Sequence, residues 1–549
     1  MMNTLTIGVA QLAPEATLHE NRDKIIHFIG EARARGCRML VVPEGALYSP
    51  EGTPKADIDT AIRQVQQETA RHNMYVILVA LYRLANDAQP MHNRLLVIGP
   101  DGSIIQTYDK LWGDQRFPNV PGPFVVDGVI CCATICADRW LRSTEELPVF
   151  AGAQIIIECS GNYENEWIPE LQWYWYVPRA IRNNVYVVLC NQARDRSRVG
   201  LWGPGHGHSC IIVPDGTFLA AAEGESDRLL VATLDMALAT RAEAIRRHAH
   251  PLFKRFWDVG ITLMQGGRVE APPFEPVTSP EVPITIAAAQ MACSRDIHVN
   301  LVSIERLLRL AKLRGADVVG FPELALTGTL TEDIMATNRP VLESALSRVQ
   351  QMARAMQLCV VLGAPHIADS GERHNSAYVI SPDGTILTRY DQLVIDRPDV
   401  FVPGDSSRAM WYTVKGVPAV VTIGRDGLWT ELAELAAIRG AQVHMHICYD
   451  TDKTQQGKLL RKQLWACLAS YRTLTATVNA AEPINTVRPS AAGSGYSMIW
   501  QDFFRGTSGP SGGYWPHCAE WLAQATMNET VIHATQTVAK VNSQFERMT

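Results

Sequence analysis

Short apolar runs rich in β-branched residues alternate along the chain with longer segments whose apolar residues recur at helical spacing. The runs MYVILVALY, AQIIIECSG and NVYVVLCNQ have the length and composition of buried strands. The segments NRDKIIHFIGEARARG and ADIDTAIRQVQQETARHN place apolar residues three and four positions apart, which predicts amphipathic helices. In GPDGSII, an Asp-Gly pair between two apolar runs predicts a β-hairpin. Strands that alternate with helices and include a hairpin indicate a layered α/β domain with mixed sheets.

The two halves of the chain repeat one pattern in the same order. TIGVAQLAPEATLHEN, which ends at Asn21, matches TIAAAQMACSRDIHVN, which ends at Asn300. VVPEGAL matches GFPELAL, and HNRLLVIGPDG matches HNSAYVISPDG further along. ICCATICADRW matches AVVTIGRDGLW in its apolar residues and its aspartate, but Gly424 stands opposite Cys136. An ordered match of this extent indicates a tandem duplication of one domain of about 270 residues.

The segment QGGRVEAPPFEPVTSPEVP separates the two copies and is rich in proline and glycine. It predicts a linker over residues 265–283, between a catalytic domain over 1–264 and a second domain over 284–549. The total length of 549 residues agrees with this division, because single hydrophobic cores stop growing near about 250–300 residues.

Composition narrows the class of protein. The formal net charge is −6 and 47% of the residues are hydrophobic, which gives no electrostatic reason to expect nucleic acid or an anionic membrane as a partner. The amino terminus does not read as a signal peptide, and no apolar run approaches the roughly 20 residues that span a bilayer. We therefore expect a cytoplasmic protein. The twelve cysteines show no paired CxxC spacing, so the sequence predicts neither a disulfide framework nor a zinc site.

Three segments of the first half carry a family resemblance. VVPEGAL, YDKLWG and ATICADRW, in that order, resemble the three catalytic signatures of the nitrilase, or carbon-nitrogen hydrolase, superfamily. The resemblance covers essentially the whole chain, taken as two copies. It implies an α-β-β-α sandwich for each half, a Glu-Lys-Cys triad formed by Glu44, Lys110 and Cys136, a small-molecule amide substrate, and no cofactor or metal.

The chemistry of these residue types agrees with the implied roles. A thiol with a pKa of about 8.5 is only a few per cent ionised at neutral pH, so a cysteine nucleophile needs a base or a cation beside it. Glu44 would take the thiol proton and return it to the leaving amine. Lys110 would stabilise the tetrahedral oxyanion, together with backbone N–H groups after the nucleophile, among them that of Ala137.

The second half lacks most of this chemistry. Glu323 persists, but Gln392 stands in place of the lysine and Gly424 in place of the cysteine. The sequence therefore predicts a catalytically silent domain. Members of the superfamily usually pair their sandwiches through a two-fold interface, and we expect the two halves to pack as an intrachain pseudo-dimer. A regulatory ligand site in the second half is the alternative interpretation, and further homo-oligomerisation stays open.

The first half departs from the family pattern at two points. Many members carry a second glutamate between the lysine and a Pro-Gly pair, and here Asp114 and Gln115 are the candidates for that role. The residue after the nucleophile is Ala137, followed by Asp138, which resembles the amidase and carbamoylase branches more than the nitrilases. An amide or N-carbamoyl substrate is therefore favoured over a nitrile.

The sequence defines the acyl group of the substrate less closely than the bond that is cleaved. Aromatic and polar residues near the catalytic signatures are candidates for its pocket, namely Tyr48, Asn162, Tyr163, Glu166 and Trp167. Three other functions compete with amide hydrolysis: nitrile hydrolysis, a glutaminase-type module that supplies ammonia to a partner, and a non-enzymatic scaffold. The intact triad argues against the scaffold. A module that supplies ammonia to a synthetase would need an ATP-binding domain, and the sequence contains no P-loop motif.

Overall fold

The computed structural model describes residues 4–84, 91–111, 120–140, 143–161, 173, 176–194, 206–268, 280–469, 473–484, 486–500 and 521–538. The chain separates into two compact units, with the main division at residues 271–272. No helix in the described ranges is long and apolar enough to cross a membrane.

The first unit contains thirteen strands and six helices in its described part. The strands are β1 (Thr4–Gln11), β2 (Met39–Val41), β3 (Leu47–Tyr48), β4 (Tyr75–Arg83), β5 (Met91–Ile98), β6 (Ile104–Asp109), β7 (Phe124–Val126), β8 (Val129–Ile135), β9 (Ile155–Ser160), β10 (Tyr186–Asn191), β11 (Cys210–Ile212), β12 (Phe218–Ala221) and β13 (Arg228–Asp235). The helices are α1 (Leu18–Ala34), α2 (Lys55–His72), α3 (Ser143–Phe150), α4 (Tyr176–Asn183), α5 (Ala242–Ala249) and α6 (Pro251–Met264).

Two sheets of the first unit face each other across a shared core. One sheet has the order β13-β1-β2-β4-β5-β6, with β3 beside β4, and the other has the order β12-β11-β10-β9-β8-β7. Ile7 of β1 and Ile157 of β9 belong to one buried cluster between the sheets. Ile25 of α1 and Val65 of α2 belong to a second cluster on the outer face of the first sheet, and α3 and α4 lie against β8 and β10. The layers are therefore α-β-β-α.

Local sequence signals account for several of these elements. α1 begins with a capping box formed by Thr17 and Glu20, which satisfies free N–H groups of its first turn. α2 ends at Asn73, whose left-handed backbone (φ 49°) stops the helix. β5 and β6 pair antiparallel around the Asp-Gly turn, so the predicted hairpin is confirmed. The predicted helices α1 and α2 and the strands β4, β9 and β10 are confirmed as well.

The second unit contains twelve strands and five helices in its described part. The strands are β14 (Val282–Gln290), β15 (Val318–Gly320), β16 (Cys359–Ile367), β17 (Arg373–Ile380), β18 (Ile386–Asp391), β19 (Trp411–Val414), β20 (Val417–Ile423), β21 (Val443–Ile447), β22 (Leu474–Val478), β23 (Met498–Trp500), β24 (Trp521–Gln524) and β25 (Thr530–Val538). The helices are α7 (Ile297–Leu313), α8 (Thr331–Ala336), α9 (Arg339–Met356), α10 (Glu431–Ile438) and α11 (Gln455–Ala469).

The second unit repeats the topology of the first. Its sheets have the orders β25-β14-β15-β16-β17-β18 and β24-β23-β22-β21-β20-β19. These orders match the two sheets of the first unit, except that β3 has no counterpart. Ile304 of α7 and Val349 of α9 pack on the outer face of the first of these sheets. The duplication read from the sequence is therefore present as two copies of one mixed α/β fold. Between them, α6 ends at Met264 and β14 begins at Val282.

Candidate active site

Glu44, Lys110 and Cys136 each lie just beyond the end of a strand. Glu44 follows β2 and Lys110 follows β6, both in the first sheet, whereas Cys136 follows β8 in the facing sheet. Glu44 and Cys136 are each only 3% exposed, and the Lys110 side chain is also largely buried. The strand ends therefore bring together, inside the sandwich, three residues that are distant in sequence.

Glu44 is the centre of the cluster. Its Oε1 accepts hydrogen bonds from Lys110 Nζ at 2.6 Å and from Asn93 Nδ2 at 2.6 Å. Its Oε2 accepts a hydrogen bond from the backbone N–H of Gly161 at 3.0 Å, and the Cys136 thiol also hydrogen-bonds to the carboxylate. The base, the cation and the nucleophile of the predicted triad are thus in direct contact.

The electrostatics of the cluster fix the charge of each group. Burial raises the pKa of Glu44, but the charge of Lys110 and the hydrogen bonds from Lys110, Asn93 and Cys136 outweigh it and hold this pKa below its usual value. Burial lowers the pKa of Lys110, and the charge of Glu44 reverses the effect and raises it above its usual value. Burial and the Glu44 charge raise the pKa of Cys136 to about 11. The resting site therefore contains a carboxylate, an ammonium and a neutral thiol.

Cys136, the predicted nucleophile, lies on a strained turn. Cys136 has a left-handed backbone (φ 44°) and begins a 3-10 helix over Cys136–Trp140, a conformation that non-glycine residues adopt at an energetic cost. Asp138 in this helix is fully buried and accepts hydrogen bonds from the Tyr108 hydroxyl and from the backbone N–H of Leu111 at 3.2 Å. Asp138 thereby connects the turn that carries the cysteine to the segment that carries Lys110.

A network of buried ion pairs lies next to this turn. Arg139 Nη1 contacts Glu158 Oε1 at 2.5 Å, and Arg179 Nη1 contacts Glu158 Oε2 at 3.0 Å. The Tyr176 hydroxyl also donates to Glu158 at 2.9 Å. All of these side chains are buried. Breaking such a pair would leave an unpaired buried charge, so the network fixes the position of Arg139, three residues after the nucleophile.

The corresponding site of the second unit has a different geometry. Glu323 Oε1 accepts a hydrogen bond from Asn375 at 2.6 Å, and Gln392 Oε1 accepts one from the same amide at 2.9 Å. Gly424 keeps the left-handed backbone of the nucleophile turn (φ 47°), and a Cβ atom added there would lie 2.7 Å from Glu323 Oε2. A β-carbon at this position would therefore require the carboxyl group of Glu323 to shift.

The electrostatics of this second site also differ. Burial and the nearby charge of Asp396 raise the pKa of Glu323 to about 8. Asp426 nevertheless keeps the connecting role of Asp138, because it accepts hydrogen bonds from the Tyr390 hydroxyl at 2.8 Å and the Val394 N–H at 2.8 Å. The second unit thus retains the scaffold of the site while its ionisation has changed.

The remaining predicted site residues fall into two groups. Ala137 is buried directly after the nucleophile, and Tyr48 lines a cavity of about 180 Å³ together with Leu81, Arg83 and Met91. The other candidates lie outside the described residues, namely Asp114, Gln115, Asn162, Tyr163, Glu166 and Trp167.

Two side chains that contact Glu44 were not predicted from the sequence. Asn93 donates to its carboxylate, and Gln192 Nε2 donates to its backbone carbonyl at 2.7 Å. The sequence contained a signal for Asn93, because the same His-Asn pair occurs in both halves of the chain. In the structure Asn375, the asparagine of the second pair, makes the same contact to Glu323. No such signal exists for Gln192, since its contact depends on the packing of two sheets.

Comparisons with known proteins agree with the site. The family model for carbon-nitrogen hydrolases matches residues 6–244 and again residues 285–508. N-carbamoylputrescine amidase of Solanum tuberosum is 31% identical over 172 residues, which cover 29% of this chain and 56% of the relative. Omega-amidase NIT2 of Homo sapiens is 24% identical over 263 residues, covering 43% of this chain and 90% of the relative. The chain thus spans little more than half the length of the N-carbamoylputrescine amidases that it matches.

A comparison of structures gives a similar neighbour. A mutant of an amidase of Nesterenkonia from the nitrilase superfamily aligns with 47% of this chain and 93% of its own, at 19% identity and a TM-score of 0.39. The family assignment depends instead on the family model, which matches most of each half. The chain belongs to the carbon-nitrogen hydrolase family and carries two copies of its domain.

Proposed function

We propose that the first unit hydrolyses the C–N bond of a non-peptide amide or N-carbamoyl compound through a thioester on Cys136. The observation that carries this proposal is the contact of Glu44 with both Lys110 and the Cys136 thiol. A base, a cation and a nucleophile in one buried cluster are the groups that covalent acyl transfer needs.

The ionisation of the cluster defines the order of proton transfers. Because Cys136 rests as a thiol beside the Glu44 carboxylate, its proton passes to Glu44 as the sulfur attacks the carbonyl carbon. The tetrahedral intermediate collapses when Glu44 gives this proton to the leaving nitrogen, so the C–N bond breaks and an amine or ammonia departs. Water then attacks the thioester while Glu44 takes its proton. Return of that proton to sulfur restores the thiol and releases the acid.

Lys110 has two roles in this scheme. Its ammonium group keeps Glu44 ionised, and it offers positive charge to the oxyanion that forms on the carbonyl oxygen. The backbone N–H of Ala137 is the second candidate donor to that oxyanion. Such preorganised donors typically contribute a factor of about 10²–10³ to the rate.

The substrate class follows from the resemblance and the relatives. The relatives described above are named for an N-carbamoyl compound and for an omega-amide, and Asp138 after Cys136-Ala137 resembles the amidase and carbamoylase branches. The second unit does not take part in this chemistry, because Gln392 and Gly424 stand where the first unit has Lys110 and Cys136.

The test is to trap the acyl-enzyme. Full-length protein is mixed with primary amides, N-carbamoyl compounds and nitriles, then quenched and digested for mass spectrometry. The added mass should lie on Cys136, and Cys136→Ala should lower the rate by a factor on the order of 10⁴–10⁶. Cys132→Ala, a change of the same kind four residues earlier in the buried strand β8, is the matched control and should stay active. Turnover that survives Cys136→Ala would refute the mechanism, and faster turnover of nitriles than of amides would refute the substrate class.

A further inference from the structure

The second unit contains a cavity of about 190 Å³ between α9 and the strands β16 and β17. Leu342 and Leu346 of α9 and Ala364 of β16 form its apolar wall. Because a water molecule takes up about 30 Å³ in the liquid, the cavity has room for roughly six waters, or for a ligand with a similar number of non-hydrogen atoms. It is therefore sized for a small molecule.

The opposite wall is polar, and its hydrogen bonds define where the protons are. His366 Nε2 lies 2.5 Å from Arg389 Nη1, and His366 Nδ1 lies 3.0 Å from the Tyr378 hydroxyl. Arginine can only donate, so Nε2 must accept and the imidazole must be neutral with its proton on Nδ1. That proton is donated to the oxygen of Tyr378. The hydroxyl proton of Tyr378 is consequently left over for another acceptor.

Tyr378 is suited to donate this proton to a ligand. It lines the cavity and is only 7% exposed, and burial raises its pKa to about 12, so it keeps its O–H at neutral pH. Among the described residues, the Tyr378 hydroxyl contacts His366 Nδ1 and donates to no acceptor. In the second unit, Tyr378 of β17 stands opposite Leu362 of β16. In the corresponding strand pair of the first unit, Leu96 stands opposite Leu78, so leucine takes the place of Tyr378 there. Because leucine serves the fold at that position, the hydroxyl is not needed for folding.

The charges around the cavity select against an anion. Arg339 lies 3.1 Å from Glu343 and 2.7 Å from Asp369, and Arg389 lies 3.0 Å from Asp391. Each of these guanidinium groups is thus paired with a carboxylate. A carboxylate ligand would have to compete with these pairs for a cation, whereas a neutral ligand would not.

We propose that this cavity binds a small neutral carboxamide with a short aliphatic chain. The amide carbonyl accepts the hydroxyl proton of Tyr378, the amide nitrogen donates to the carboxylate of Glu343, and the alkyl chain lies against Leu342 and Leu346. The site is separate from the triad of the first unit, and it gives the catalytically silent unit a ligand of the same chemical class as the proposed substrate. It does not depend on whether the triad is active.

The test compares butyramide with butyrate, which have the same shape and differ in charge. Binding to the full-length Cys136→Ala protein, in which turnover is suppressed, is measured by calorimetry. Because the first unit of this variant can still hold an amide without reacting, the titration is fitted to two sites, and the site whose affinity changes in Tyr378→Phe is assigned to the cavity. Butyramide should bind with a Kd on the order of 1 mM, and butyrate should not saturate. Tyr378→Phe should raise the Kd about five- to tenfold because one buried hydrogen bond is lost. Tyr412→Phe, the control, removes a buried hydroxyl from β19 of the same unit, outside the lining of the cavity. It should leave the Kd unchanged.

Several results would overturn the proposal: no butyramide site whose affinity changes in Tyr378→Phe, equal binding of butyrate at that site, or equal effects of Tyr378→Phe and Tyr412→Phe. If Tyr378→Phe does not fold, Glu343→Met replaces it, because Glu343 is an exposed helix residue whose substitution spares the core. It should weaken butyramide binding, and an unchanged Kd would contradict the site. Failure of the catalytic proposal would be seen as absent hydrolysis by the wild-type protein, which leaves these binding results unaffected.

Discussion

Lys110 and Glu44 form a buried ion pair in which Nζ of the lysine lies 2.6 Å from Oε1 of the glutamate. In the second unit Gln392 takes the place of the lysine, and the pKa of Glu323 is raised to about 8 by burial and the charge of Asp396. Glu44 and Glu323 are therefore the same buried carboxyl group, in the first unit with a neighbouring lysine and in the second unit without one. The lysine keeps Glu44 ionised, and an ionised Glu44 is what the proposed base must be.

Lys110→Gln should consequently affect both rate and pH dependence. Loss of the cation should lower kcat/KM by a factor of at least about 10²–10³. Activity requires ionised Glu44 and falls as the pH drops through its pKa, so raising that pKa moves the acid limb of the pH profile upward. The measurement is log kcat/KM against pH. Lys110→Arg, which keeps the charge, is the control and should keep the acid limb low. An unmoved limb in Lys110→Gln would show that the lysine does not control Glu44.

Gly424→Ala should destabilise the second unit. A Cβ there would lie 2.7 Å from Glu323 Oε2 and 3.1 Å from Gln392 Nε2, on a backbone with φ 47°. Overpacking costs about 1–3 kcal/mol, and the left-handed backbone adds up to about 1 kcal/mol. Denaturant unfolding of the full chain measures the loss. Gly315→Ala separates the two effects, since Gly315 also has a positive φ (73°) but open space around it. Equal losses for both variants would mean that Glu323 moves aside freely.

The second unit should be more stable at mildly acidic than at alkaline pH. Burial raises the pKa of Glu323 to about 8 and that of Asp426 to about 7. A group whose pKa is raised in the folded state stabilises that state while it is protonated. The stabilisation is fully present below the pKa of the group in the unfolded chain, and it is lost as the pH rises through the pKa of the group in the folded state. Between about pH 5 and 9 the unfolding free energy should fall by on the order of 5 kcal/mol, since each pKa unit corresponds to about 1.4 kcal/mol. Glu323→Gln should reduce this dependence, whereas Glu305→Gln on the exposed face of α7 should not.

The sequence predicted the parts of this molecule that depend on local pattern and on the repeat. The strand and helix periodicities located β4, β9, β10, α1 and α2, and the ordered signatures named the three residues that meet at Glu44. The replacement of the cysteine by Gly424 was predicted from the sequence, but the close approach of the Glu323 carboxyl group to Gly424 was not. That approach depends on side-chain positions in the folded unit, as do the contact of Gln192 with Glu44 and the Arg139–Glu158 pair. Spacing along the chain carries no information about such contacts.

The predicted packing of the two halves as a pseudo-dimer leads to an experiment on the isolated first half. Residues 1–264 end with α6, whose last residue is Met264, so the fragment ends at an element boundary. If the second half replaces the partner subunit of a homodimer, removing it exposes a large apolar interface, and the fragment should aggregate or lose activity. Co-expression with residues 284–549 should restore soluble, active protein, because the same surface is covered again.

A soluble, monomeric and fully active fragment would contradict the pseudo-dimer. The second unit would then not be needed to support the first, and retention of its Glu323–Asn375 contact and its polar cavity would call for another cause. Ligand binding in that cavity is the cause that the geometry offers. In that case butyramide should change the activity of the full-length chain and leave that of fragment 1–264 unchanged, which steady-state kinetics with a chemically different substrate can measure. An equal effect on both proteins would place any butyramide effect in the first unit.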